Sequence, residues 1–194
     1  MKTSNITEIE VGLASLTDIV FDRFFDHSKE QRPPEQKFYL IEGNKIVLPV
    51  DNMIAFLYNQ KGQSCTTSFE GKKRGEYIRV GQSHTIISPA AIPFLDEKGK
   101  QICFDEFDGK RFYVHLKAPT TKLSGGSYIK QEAQPRPVLS HPWFLNFHIT
   151  LIKNNLIDSQ KLYNWFERGG IEIAIGNHRP LFGRFKILKW DVSK

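Results

Sequence analysis

The sequence predicts an α+β fold in which helices cover one face of an antiparallel sheet and β-hairpins are inserted into it. Three observations carry this. Apolar and polar residues alternate around Ile9, Val11 and Leu13, and again from Trp143 to Leu151, the period-two pattern of half-buried strands. Two amphipathic helices, entered at Asp51 and at Asp158, each stand between strand-like segments. With 40% hydrophobic and 12% aromatic residues, a 194-residue chain has enough apolar surface to build a core.

The elements follow in order. Residues 38–41 and 45–48 flank Glu42-Gly43-Asn44, a turn with glycine available for a left-handed position, and form a hairpin. Pro49 stops the second strand, and Asp51 caps a helix over 52–60, whose stripe of Met53, Ile54, Phe56 and Leu57 is a core face. Residues 64–100 read as a basic, glycine-rich insertion with short strands at 77–80 and 85–87. A second hairpin joins 102–104 to 111–116 through Asp108-Gly109. Residues 119–137 hold Ser124-Gly125-Gly126-Ser127 and three prolines, and read as a long mobile loop. Trp143 to Leu151 form a strand whose other face carries Asn146, His148 and Thr150. Asp158 or Ser159 caps the second helix, which Gly169-Gly170 ends, and strands at 171–175 and 185–190 enclose a glycine-bounded loop. Two strand–helix–strand units in one chain suggest a ferredoxin-like arrangement, as in RNA-recognition motifs.

Charge points to a polyanionic partner. The net charge is +6, and no carboxylate occurs between Glu172 and Asp191, whereas the stretch from Glu8 to Glu42 is comparatively acidic. Lys72-Lys73-Arg74 form a basic cluster between Gly71 and Gly75. Such asymmetry suits a nucleic-acid-facing surface on an otherwise neutral domain. Lys72, Lys73, Arg74, Arg79, Arg136, Arg179, Arg184 and Lys186 are the candidates for phosphate contact. If about half engage a single strand, log affinity falls against log salt with a slope of roughly −3. His178 belongs to the same loop. Tyr39, Tyr77, Phe182 and Phe185 are candidates for base stacking, although each can equally serve the core.

Other chemistries find less support. Cys65 and Cys103 make neither a metal motif nor a disulfide framework and read as reduced. Asp105, Glu106 and Asp108 have no companion His-x-Glu or Cys-x-x-Cys, so no metal and no cofactor is expected. Neither a nucleophile elbow nor a Walker loop is present. His178, joined by His84 or His148, could serve metal-independent RNA cleavage, but no catalytic residue is assigned. The amino terminus lacks an apolar signal region and no run is long enough to span a membrane, so a cytoplasmic location is expected.

The segment Ile175-Gly176-Asn177-His178-Arg179-Pro180-Leu181-Phe182-Gly183-Arg184-Phe185, following the helix and its Gly-Gly pair, carries a resemblance. It resembles the ending of a family of uncharacterised phage and prophage proteins, aliphatic-Gly-x-x-Arg-Pro-x-x-Gly-Arg-Phe. Arg136-Pro137 and the entry Ile46-Val47-Leu48-Pro49 to the first helix fit the same pattern. More distantly, the chain is similar to the CRISPR-associated RAMP superfamily, whose ferredoxin-like folds place a glycine-rich loop between the last helix and last strand and bind RNA. This loop departs from that pattern in having only Gly176 and Gly183, with Pro180 between. The resemblance implies a single RAMP-like domain over 1–194 that binds single-stranded RNA or DNA mainly through the backbone. It also implies several copies along a strand, or a multi-subunit ribonucleoprotein, in the host-cell cytoplasm if the chain is phage-encoded. A metal-independent RNA-processing endoribonuclease and a phage structural or host-takeover protein acting through protein contacts are the alternatives.

Overall fold

The computed structural model describes residues 5–23, 32–117, 121–124, 127–130 and 134–193, and the side chains of 117 and 121–130 are not among what it describes. Strands are β1 (Ile6–Ser15), β2 (Ile19–Val20), β3 (Leu40–Ile41), β4 (Lys45–Pro49), β5 (Thr85–Ser88), β6 (Ala91–Leu95), β7 (Phe112–Lys117), β8 (Thr121–Ser124), β9 (Ser127–Lys130), β10 (Gln134–Leu139), β11 (Phe144–Ile152) and β12 (Phe185–Ser193). Helices are α1 (Val50–Tyr58), α2 (Cys65–Phe69), α3 (Arg74–His84) and α4 (Ser159–Glu172). The main sheet runs β12-β1-β11-β6-β4-β3, and β5 also pairs with β11, every pairing antiparallel. A smaller sheet runs β2-β10-β7, and β8 pairs with β9.

The period-two patterns fix the register. Ile9, Val11 and Leu13 lie opposite Ile149, Phe147 and Leu145, and all six are buried. The helices cover this face: Phe56 of α1 packs on Phe166 of α4 and on Phe185, and Phe147 packs on Phe166. The opposite face of β1, β11 and β12 is largely exposed. Asp158 caps α4 as its sequence requires, its carboxylate accepting the amide of Lys161 at 2.7 Å.

Five expectations change. The segment 77–80 is part of α3, because Ile78 and Gly81, three apart, form the inner face that packs on the helix pair, a tertiary demand that outweighs β-propensity. Asp51 is not the cap of α1; Pro49 holds that position and Asp51 stands in the first turn, where its charge suits the helix dipole. Gly169 and Gly170 lie inside α4. A Cβ on Gly169 would stand 2.8 Å from Cys65 Sγ, and one on Gly170 would stand 2.6 Å from the Phe185 carbonyl, so they permit close docking. The helix therefore runs to Glu172, and no strand forms at 171–175. Finally, 102–104 and 112–117 do not pair. The turn between them forms, with Asp108 Oδ1 accepting the amides of Lys110, Arg111 and Phe112, but Ile102 and Phe104 bond toward β4 and β6, whereas β7 joins β10. Phe38, Phe104 and Phe112 meet between the two sheets, 4.8–6.0 Å apart by ring centroid, and set this division.

The long loop expected at 119–137 is replaced, where described, by β8, β9 and β10, while 118–120, 125–126 and 131–133, including Gly125 and Gly126, lie outside the described residues. Cys65 is buried and its thiol donates to the Trp165 carbonyl, whereas Cys103 is exposed.

Two glycines of α3 give opposite predictions. A Cβ on Gly81 would lie 2.1–2.6 Å from the Tyr58 ring, which is held by its hydroxyl's bond to Thr85, whereas nothing lies within 4 Å of one on Gly75. Urea unfolding should show Gly81→Ala losing about 1–3 kcal/mol and Gly75→Ala gaining about 0.4–1 kcal/mol.

Candidate functional site

The loop between α4 and β12 is built from the inside. After the last turn of α4, Ala174 takes a left-handed φ of 66° and its amide bonds back to Gly169. Gly176 (φ 80°) passes so close to β2 that a Cβ would meet Ile19 at 2.8 Å, and the Asn177 amide bonds the Val20 carbonyl. Gly183 (φ 75°) lies against Ile175, where a Cβ would stand 1.8 Å from the carbonyl oxygen. The amides of Ala174, Ile175, Asn177, His178, Phe182, Gly183 and Arg184 all donate within the protein. The glycines therefore serve internal packing, and the loop presents chiefly side chains to a ligand.

Those side chains meet a charged cluster on the smaller sheet. Arg136 on β10 lies directly opposite His115 on β7. Its guanidinium ion-pairs with Asp22 at 2.7 Å and donates to His178 Nε2 at 3.0 Å. An arginine can only donate, so this bond needs a neutral imidazole that keeps its proton on Nδ1. Asn177 Nδ2 donates to the same Asp22 oxygen at 3.2 Å. Lys37, nearly buried, donates to the Pro135 carbonyl at 2.7 Å; burial pushes its pKa down, and Asp22 opposes that shift. The rings of His115 and His178 are 5.3 Å apart, and Phe182 lies 5.1 Å from His115. Beside this cluster, Asp22, Tyr39, Asn52 and Asn177 line a crevice of about 80 Å³. That is the volume of two or three waters, too small for a nucleotide.

The predicted residues fall into three groups. Arg136, His178 and Phe182 come together, with Arg136 buried as an ion-pair partner. Arg179 turns inward toward the end of α4, donating to the Ala174 carbonyl at 3.5 Å; desolvation holds its pKa below the usual arginine value. Arg184 leads into β12 with its Nε buried and without a hydrogen-bond partner, and Lys186 is exposed on the strand. Lys72, Lys73, Arg74 and Arg79 form a separate exposed patch on a 3-10 turn and α3, elements that pack with α1 and α2. Phe185 is fully buried and Tyr77 packs on Trp165, so both belong to the core side. His84 bonds Ser83 and the Val80 carbonyl at the end of α3, and His148 lies on the exposed sheet face, so neither joins His178.

Asp22, Lys37 and His115 were missed. Nothing around Asp22 or Lys37 marks them as polar groups that will be nearly buried. His115 carried a usable signal, because strand alternation places it on the same face as Tyr113. Among the described residues, no group of three or more His, Cys, Asp or Glu could hold a metal, and no helix is long and apolar enough to cross a membrane.

No family model matches the sequence, and no curated protein matches it. The fold is similar to a chain in the cryo-EM structure of Type III-B Cmr-β bound to cognate target RNA, with a TM-score of 0.53 and 11% identity. The match covers 98% of this chain and 61% of that one, so this chain spans about three fifths of its neighbour's length.

Asp22 opposes the charge of buried Arg136, and removing it leaves a desolvated cation. Asp22→Asn should cost about 3–5 kcal/mol in chemical denaturation, and Asp22→Leu with Arg136→Met should recover much of that loss.

Proposed function

We propose that this protein binds single-stranded nucleic acid, RNA in the first instance, as a RAMP-like protein of phage-like or CRISPR-related origin working within a multi-subunit ribonucleoprotein. The observation that carries the reading is the likeness, over 98% of the chain, to a chain from an RNA-bound structure. The strand order supports the finer ferredoxin-like assignment. Taking β1, β5, β11 and β12 as the four strands, with α1–α3 and α4 as the connections, the spatial order is β12-β1-β11-β5, the arrangement of a split βαβ pair. The loop carrying His178, Arg179, Phe182 and Arg184 then falls between the last helix and the last strand, where the RAMP resemblance expects it.

In this reading the exposed cations Lys72, Lys73, Arg74, Arg79 and Lys186 contact phosphates directly. Phe182 at the loop offers a ring to a base, and Arg136 holds His178 and the loop in position from beneath. Arg179 and Arg184 add charge at the loop's root.

A second reading, a metal-independent endoribonuclease, is favoured by one observation, the neighbouring rings of His115 and His178. One imidazole would take the 2′-hydroxyl proton as that oxygen attacks the adjacent phosphorus, and the other would protonate the departing 5′-oxygen, leaving a cyclic phosphate. His178 Nε2 is occupied by Arg136, so His115 is the better placed base, and His178 can act as the acid only once it is protonated and that bond is given up.

Binding of a labelled single-stranded RNA across a salt series tests the first reading. Replacing Lys72, Lys73, Arg74 and Arg79 together by alanine should make the log–log slope shallower by about 3. Binding that is absent at low salt, or indifferent to salt, removes it. RNA left intact by wild type without metal removes the second reading; cleavage lost in both His115→Ala and His178→Ala supports it.

A further inference from the structure

The register of the main sheet assembles a surface that none of the individual segments announces. On the face away from the helices, Lys186 of β12, Ala14 of β1, Phe144 of β11 and Leu95 of β6 form one row across four strands. Directly opposed residues of an antiparallel sheet share a face. In that row Lys186 is exposed and Phe144 half-buried, on either side of Ala14, which is small and buried. The next row has Gly12 between Lys189 and Asn146, so the middle strand offers no bulk there either. Arg184 precedes Lys186 by two residues along the same chain path.

The far end of this face has the opposite character. Asp191, Glu10 and His148 make one row, and Ser193, Glu8 and Thr150 the next. Lys189 is held there by Glu10 at 2.7 Å and Asp191 at 3.3 Å. Carboxylates therefore exclude phosphate from the distal half, while the half beside the glycine loop keeps a cation and an aromatic ring in one row, on either side of β1.

We infer that Phe144 is a base-stacking residue and that it forms, with Lys186 and Arg184, a single-stranded nucleic-acid subsite on the open face of the sheet, next to the α4–β12 loop. The inference rests on the proposed function and adds which face the strand crosses and where it stops. A base lies on the Phe144 ring, and the adjoining phosphate reaches past the small Ala14 position toward Lys186. Stacking accepts any base, so the subsite binds without sequence preference.

The test uses the full chain and a short RNA carrying 5-iodouridine. Phe144→Leu, which keeps apolar bulk and the fold, should weaken binding about tenfold with an unchanged salt slope, whereas Phe144→Trp should bind at least as tightly as wild type. Lys186→Ala should make the slope shallower by about 0.7. Photocrosslinking followed by peptide mass spectrometry should place the adduct within β11 around Phe144. Wild-type binding with Phe144→Leu unchanged and crosslinks confined elsewhere overturns the inference and leaves the proposed function standing. A wild type that binds no RNA at any salt overturns both.

Discussion

The carboxylate of Asp22 is the constraint on which the placement of the glycine loop depends. It sits just beyond β2 and gathers Arg136 from β10 and Asn177 from the loop onto one oxygen, while Arg136 passes a second hydrogen bond to His178. Three distant stretches of chain are joined through a nearly dry contact. Charged groups removed from water are tolerated only when paired and hydrogen-bonded, so the loop has little freedom to sit anywhere else. Lys37 adds a second cation to the same neighbourhood.

This arrangement changes what the glycines mean. A glycine-bounded, cationic loop reads most simply as backbone ready to approach a polyanion. Here most of that backbone is engaged within the protein: Gly176 fits against Ile19, Gly183 against Ile175, and the amides of Ile175, Asn177, His178, Phe182, Gly183 and Arg184 are bonded inward. Under the proposed function, recognition then passes to side chains and to the neighbouring sheet. That sheet is uneven, with carboxylates at one end of β1 and β12 and, at the end near the loop, a cation and an aromatic ring on either side of β1.

Strands β1, β4, β11 and β12 and helices α1 and α4 were legible because each repeats its apolar residues at its own period. α3 was not, because Tyr77, Ile78 and Val80 are β-formers that a helix uses here to reach the α1–α4 core. Gly169-Gly170 reads as a stop for a similar reason: its role depends on Cys65, which lies about a hundred positions away, and on Phe185. The site divides along the same line. The loop's own residues could be read from a contiguous segment, and the structure brings His178 and Phe182 to Arg136. Asp22 could not, since its partners Arg136 and Asn177 lie 114 and 155 positions along the chain, and alternation alone could put His115 on a face without bringing it opposite Arg136 or near His178. The Lys72–Arg79 cations were legible as charge but not as a separate surface.

The contrast between the two cysteines has a practical consequence. Cys65 lies sealed beneath α4, and burial raises its thiol well above the ordinary value, so it is both shielded and slow to form the reactive thiolate. Cys103 stands in the open. A maleimide should therefore count one sulfur per native chain and two once α2 and α4 separate, which makes alkylation stoichiometry a gauge of core integrity independent of any ligand.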